Sequence, residues 1–260
     1  MMEQVKILSK IYKNSLYLLV FLIPLWFLPI TQDILSIQKQ ALLIVLVFMA
    51  LIAWLAKGVS QQELNIRISW LHVPVLAVLL TIAISTVFSL WRYGSFWGWP
   101  LNVSDSFLTI LFFALLYFLI SNVIEEDKEI IKLFFVFALS LVISGIYTIL
   151  QLYRVFIIPL PFAKVITFNT IGSVNSVAIL LAILLPFTLT LAFALKTRFK
   201  WWFWVFTALS LVTILLINSF NAWLTLIAGM VTILFFGMLN LKKKIEFKWI
   251  SLPMVLLIVA

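Results

Sequence analysis

The chain contains no cysteine and a single histidine, and only 10% of its residues are charged. Without cysteine there are no disulfides and no thiolate chemistry, and the redox compartment is not legible. One histidine, His72, gives no metal-spaced histidine pair. Only seven glycines are present, and none builds a phosphate-binding loop or a nucleophile elbow. No metal and no cofactor is called for. What the chain does have is apolar side chain: 65% hydrophobic residues and a mean hydropathy of +1.23. Soluble domains are nearer half apolar and a quarter charged, so no water-soluble fold can hide this much. The expected class is all-α, a polytopic transmembrane helical bundle, taken as one domain over residues 1–260.

A bilayer core of ~30 Å needs ~20 apolar residues at 1.5 Å per residue. Uncharged runs of about that length predict spans at 15–30, 40–56, 73–90, 106–124, 133–153 and 174–195. From Trp201 to Asn240 there is no Asp, Glu, Lys or Arg. Forty helical residues would reach ~60 Å, so this stretch must fold back, and Asn218, Ser219 and Asn221 mark the turn. That makes eight spans. The last twelve residues, Trp249 to Ala260, are apolar and too few to cross, which predicts a truncated ninth span and a chain incomplete at its C-terminus. The first run lacks a small-x-small cleavage site and carries Pro24, Trp26 and Pro29, so it is a retained span and not a signal peptide. Residues 1–14 place Met2, Val5, Leu8 and Tyr12 on one helical face. They fit either an amphipathic helix on the inner membrane surface or a frayed cationic tail.

With the N-terminus inside, fourteen of the eighteen Lys and Arg residues fall in cytoplasmic segments, the Lys242–Lys244 cluster among them. Lys39, Arg92, Arg154 and Lys164 fall outside. Fourteen against four is a strong positive-inside bias. The net charge of +9 therefore points to membrane lipids and away from nucleic acid. The acids Glu125, Glu126, Asp127 and Glu129 suit the positive N-terminal end of the helix that follows. Tryptophans such as Trp70, Trp91, Trp97, Trp99, Trp201 and Trp249 sit at expected span ends.

No ionisable group lies deep in a span, and no inverted repeat is evident, which weakens a transporter reading. His72 opens the third span beside Pro74 as an interfacial residue. The four outer cations are more informative. Each taken alone is a plausible lipid-boundary anchor. As a set they could clamp a phosphate-bearing head, arginine by a bidentate fork and lysine as a point charge. Pro159 and Pro161 forbid an ordinary helix over Val155 to Ile171, so this segment is expected to lie on or dip into the outer leaflet. Asn169, Thr170, Gly172, Ser173 and Asn175 then open the sixth span. Two roles stay open for them: a helix cap, with Ser173 or Asn175 as N-cap, or a ligand-facing role.

Several stretches together resemble the O-antigen ligase and O-antigen polymerase superfamily of bacterial membrane glycosyltransferases. Leu28-Pro29 through Lys39-Gln40 is similar to that family's first hairpin. Ser95-Phe96-Trp97-Gly98 followed by Leu108-Thr109 resembles its loop into the fourth span. Phe168-Asn169-Thr170-Ile171-Gly172-Ser173-Val174-Asn175, leading to Leu184-Leu185-Pro186, resembles its Gly-x-x-Asn approach to the sixth. Ser219-Phe220-Asn221-Ala222-Trp223-Leu224 resembles its Ser-Arg-Gly-Ala-Trp turn. The resemblance implies metal-independent transfer of a saccharide on the outer face of the bacterial inner membrane. The donor would be a polyprenyl-diphosphate-linked glycan, and the acceptor a lipid-core sugar, another glycan or a protein hydroxyl. It also implies that outer-face cations hold the diphosphate and that a histidine in a later loop activates the acceptor. That loop would lie beyond Ala260, so no catalytic residue is assigned. Phe220 stands where the family has arginine, which removes one expected phosphate contact. Arg92, Arg154, Lys164 and Lys39 remain as expected diphosphate ligands, with Asn175 nearby. Two other readings are a permease or flippase for a lipid-linked or anionic solute, and a non-catalytic membrane anchoring subunit.

Overall fold

A computed structural model describes residues 2–29, 33–63, 66–98 and 103–240. Among the described residues the chain is helical, with no strand. The Lys242–Lys244 cluster, Trp99, Trp249 and the expected ninth span lie outside them.

Among the described residues nine α-helices follow one another: α1 Met2–Leu22, α2 Ser36–Gln61, α3 His72–Val87, α4 Arg92–Trp97, α5 Phe107–Val123, α6 Asp127–Leu152, α7 Val174–Ala194, α8 Lys200–Ile217 and α9 Phe220–Asn240. Four of them, α2, α6, α7 and α8, are long and apolar enough to cross a membrane. Shorter apolar stretches occupy His72–Val87, Phe107–Val123 and Phe220–Ile233. These seven helices occupy seven of the stretches in which spans are expected, four of them at crossing length. The first differs: α1 starts at Met2 with no break near residue 14, and it ends at Leu22 instead of running to 30. Pro24 accounts for the early stop, because its ring disfavours helical backbone at Ile23 and removes an N–H donor. The chain leaves through a turn in which the Trp26 N–H donates to the Leu22 carbonyl at 2.7 Å.

The helices form two compact units, one running to Ile130 and one starting at Ile131. In the first, α1 packs on α2, α2 on α5, and α3 on α5. Tyr12, Leu16 and Leu19 of α1 are buried with Leu43, Val47 and Ala50 of α2, at the i, i+4, i+7 spacing of one helical face. Val5 and Leu8, on the same face as Tyr12, are partly covered, while Lys6 and Lys10 are exposed. By contrast, α3 buries no residue and leaves Val73, Leu80, Ile84 and Val87 exposed. A mostly apolar, uncharged exposed helix suits lipid as its solvent.

In the second unit α7 packs against both α8 and α9. Ala178, Leu181, Ala182 and Leu185 of α7 and Phe203, Phe206 and Ile214 of α8 are all buried. Small residues set the close approaches. A Cβ on Gly145 of α6 would meet Leu181 Cδ1 and Thr213 Oγ1 at 3.3 Å, and one on Gly229 of α9 would meet the Pro186 ring at 3.0 Å. Asn218 and Ser219 make the expected hairpin turn. Asn218 takes a left-handed conformation (φ 47°), which asparagine tolerates, and its Oδ1 accepts from Trp223 Nε1 at 3.1 Å.

Candidate functional site

The segment between α6 and α7 is non-helical apart from a short 3₁₀ turn at Pro161–Ala163, as its prolines require. It is nevertheless tied down. Ser140, Ser144, Thr148 and Gln151 recur every three or four residues along one face of α6, and all four are fully buried. Gln151 Nε2 donates to the Ala163 carbonyl at 2.9 Å and to the Tyr147 hydroxyl at 2.6 Å. Asn169 is completely buried: its Oδ1 accepts from Ser144 Oγ and from the Ile171 N–H, each at 2.9 Å, and its Nδ2 donates to Thr148 Oγ1 at 2.6 Å. A buried amide bonded through both its oxygen and its nitrogen, as Asn169 is, holds backbone in one place. Ser173 caps α7, its Oγ accepting from the Ser176 N–H at 3.1 Å. The cap role therefore goes to Ser173. Asn169 is structural, and Asn175 stands exposed in the first turn of α7.

Arg154 occupies an unusual backbone position. It follows α6 with φ 61°, its N–H donating to the Gln151 carbonyl and the Val155 N–H to the Leu150 carbonyl, both at 2.9 Å. This pair of bonds is a Schellman helix ending, in which glycine normally takes the left-handed residue. An arginine there carries a conformational cost of about 1 kcal/mol. Arg154 and Lys164 are both exposed, at the end of the second unit where α6 finishes and α7 begins. From residue 130 to residue 245 the sequence has no Asp or Glu. Among the described residues of their unit, neither cation has a carboxylate to neutralise it.

The other two predicted cations belong to the first unit, and the fold brings their surroundings together. Asp33 Oδ1 accepts from the Leu35 and Ser36 N–H groups at 3.0 and 2.8 Å and so starts α2. Lys39 follows in its first turn. Next to it, Gln40 Nε2 donates to the Trp97 carbonyl (3.3 Å), Ser106 Oγ (3.1 Å) and Thr109 Oγ1 (2.9 Å). That one amide joins the start of α2 to the end of α4 and the start of α5. Arg92 opens α4 and is exposed. Lys39 and Arg92 thus share one end of the first unit, Arg92 on a short helix (α4) that the sequence pattern did not reveal. Phe220, at the α8–α9 turn, is 79% exposed and carries no charge toward any ligand.

At the opposite end of the first unit lies a group of residues that no motif announces. Lys13 forms an ion pair with Glu129, and Arg67 pairs with Glu125 at 3.1 Å. Asn122 Oδ1 accepts from the Arg67 N–H at 2.7 Å, and the His72 ring nitrogen Nε2 lies 2.8 Å from the Arg67 carbonyl. The His72 ring meets Tyr117 edge-on, with centroids 5.5 Å apart. Lys57 Nζ donates to the Tyr12 hydroxyl at 3.1 Å and sits over its ring. Of these, Tyr12, Lys13, Lys57, Asn122 and Glu125 border a cavity of about 150 Å³. Lys39 and Lys57 are eighteen residues apart on one straight helix, or ~27 Å, close to the thickness of a bilayer core.

No family model matches this chain, and no curated protein or solved structure matches it either.

Proposed function

We propose that this is a multi-pass membrane protein of eight spans, N-terminus inside, that handles a diphosphate-linked substrate at its outer face. The reaction class favoured is saccharide transfer from a polyprenyl-diphosphate donor to a glycan or lipid acceptor at the bacterial inner membrane, in the manner of O-antigen ligases and polymerases. One observation carries it. Arg154 and Lys164 stand exposed on a well-anchored segment in a unit that has no acidic residue among its described positions. Unneutralised cations on a fixed backbone are what a departing diphosphate requires, because its developing charge must be met by groups already in position. Arg154 has the bidentate geometry for a phosphate and Lys164 adds a point charge. Its strained backbone supports the same reading, since an arginine kept where glycine is easier implies a use for the side chain. Lys39 and Arg92 lie in the first unit and make a separate pair of candidate phosphate ligands there, while Asn175, in the same unit as Arg154, offers an amide to the sugar.

The test separates side chain from backbone. Arg154→Gly relieves the left-handed strain while deleting the guanidinium, so membrane levels should hold and glycan transfer from a polyprenyl-diphosphate donor should fall at least a hundredfold. Arg154→Lys, which keeps the charge but loses the fork, should retain a measurable fraction. Undiminished transfer by Arg154→Gly would remove Arg154 from the site and the proposal with it.

A further inference from the structure

The cavity at the far end of the first unit has a charge arrangement that selects one kind of ligand. Four charged side chains border it: Lys13, Lys57, Glu63 and Glu125. Two of them are already neutralised, Lys13 by Glu129 and Glu125 by Arg67. Lys57 and Glu63 have no ion-pair partner among the described residues, and they are too far apart to pair with each other. The cavity therefore presents one unmatched cation and one unmatched anion at separate points on its wall.

The Lys57 ammonium gives one donor to the neutral Tyr12 hydroxyl. Two of its N–H groups remain, and the Tyr12 O–H, having accepted that bond, is left to donate. Three donors around one positive charge make a phosphate site. Glu63 reaches the same cavity because Gln62 takes a left-handed conformation (φ 56°) that ends α2. The Glu63 N–H then donates back to the Gly58 carbonyl at 3.2 Å, which carries the chain round onto the wall that Lys57 occupies. As with Arg154, this strain sits on a residue other than glycine.

We propose that this cavity binds the head of a phosphatidylethanolamine lipid, the phosphate on Lys57 and Tyr12 and the primary ammonium on Glu63. An anionic head would leave Glu63 unmatched and bring a second negative charge toward it. A choline head needs a cage of aromatic faces, and the lining offers two aromatic side chains, Tyr12 and Trp54, of which Trp54 already meets Phe118 edge-on. The size fits too, since cavities of ~150 Å³ hold a group about as large as benzene. The source is membrane lipid because α2 has the length and apolarity of a crossing helix, which puts its last turn at headgroup depth.

Native mass spectrometry of the purified chain, delipidated in detergent and incubated with equal amounts of ethanolamine, glycerol and choline phospholipids of the same acyl chains, tests this. The wild type should retain the ethanolamine lipid roughly tenfold over the other two, a difference of one charge-assisted contact. Glu63→Gln is exposed and isosteric, and should erase the preference of ethanolamine over glycerol lipid while leaving phosphate binding. Lys57→Gln should weaken retention of all three, whereas Lys10→Gln, an exposed lysine away from the cavity, should change nothing. Equal retention by the wild type, or an unaltered preference in Glu63→Gln, would overturn the assignment. Displacement of the lipid by equimolar soluble phosphoethanolamine would overturn the membrane source.

Discussion

Lys13 and Glu129 form an ion pair that closes α1 onto the first turn of α6, and they are 116 residues apart in sequence. Burial pulls the Lys13 ammonium down, but its hydrogen bond to Glu129 and the charge of that carboxylate outweigh this and hold it above 10.5. A group raised in the folded state contributes stability that is fully present below its unfolded value and lost as pH rises through the folded one. Thermal unfolding in detergent should therefore show wild type ahead of Lys13→Met by a constant margin from pH 7 to pH 10. The margin should vanish above about 10.5. Because the pair is only partly buried it is worth at most about 1 kcal/mol. A margin that grows with pH would contradict the pairing.

Asn169 and Asn175 should respond in opposite ways. Asn169→Leu strands the buried Ser144 hydroxyl and the Ile171 N–H, and each such group costs about 1–3 kcal/mol. Unfolding in graded SDS should show a large loss. Asn175→Ala touches an exposed side chain and should alter stability by less than about 0.5 kcal/mol, while lowering glycan transfer. If Asn169→Leu is as stable as wild type, the anchored segment is not anchored by that amide.

Helix contacts at glycine are a further check on the second unit. Gly229→Ala sets a methyl 3.0 Å from a proline ring that cannot rotate away, so α7 and α9 must separate. A destabilisation of about 1–3 kcal/mol is expected, seen as a lowered midpoint in SDS titration. Gly145→Leu should do as much or more, since its neighbours are Leu181 and Thr213 at 3.3 Å. Neutral behaviour of both would mean these helices do not meet there.

Most of the helical pattern could be read directly from apolar run lengths, because a stretch without charge that must satisfy its own backbone in lipid has few options. The hairpin at Asn218-Ser219 and the cap at Ser173 were legible for local reasons, a polar interruption and a hydroxyl placed three residues before the N–H it accepts from. Pro24 shortened α1 more than hydropathy suggested, since an apolar residue does not announce backbone geometry. The polar stripe Ser140, Ser144, Thr148 and Gln151 gains a role only from the fold, which brings Asn169 and the Ala163 carbonyl against it. The cavity of Tyr12, Lys57 and Glu63 could not be read at all. Its members come from different helices, and only tertiary packing decides which lysine has an acid beside it and which does not.

Single-cysteine labelling is unusually clean in a chain with no native cysteine, and it addresses the membrane topology on which both ligand sites depend. Lys164→Cys and Glu63→Cys would be treated in intact cells with a membrane-impermeant maleimide, then again after permeabilisation. Labelling of position 164 in intact cells, with position 63 reached only after permeabilisation, is the expected result. Position 63 labelled from outside and position 164 protected would invert the protein in the membrane, and the outer phosphate site would have no outer face to occupy.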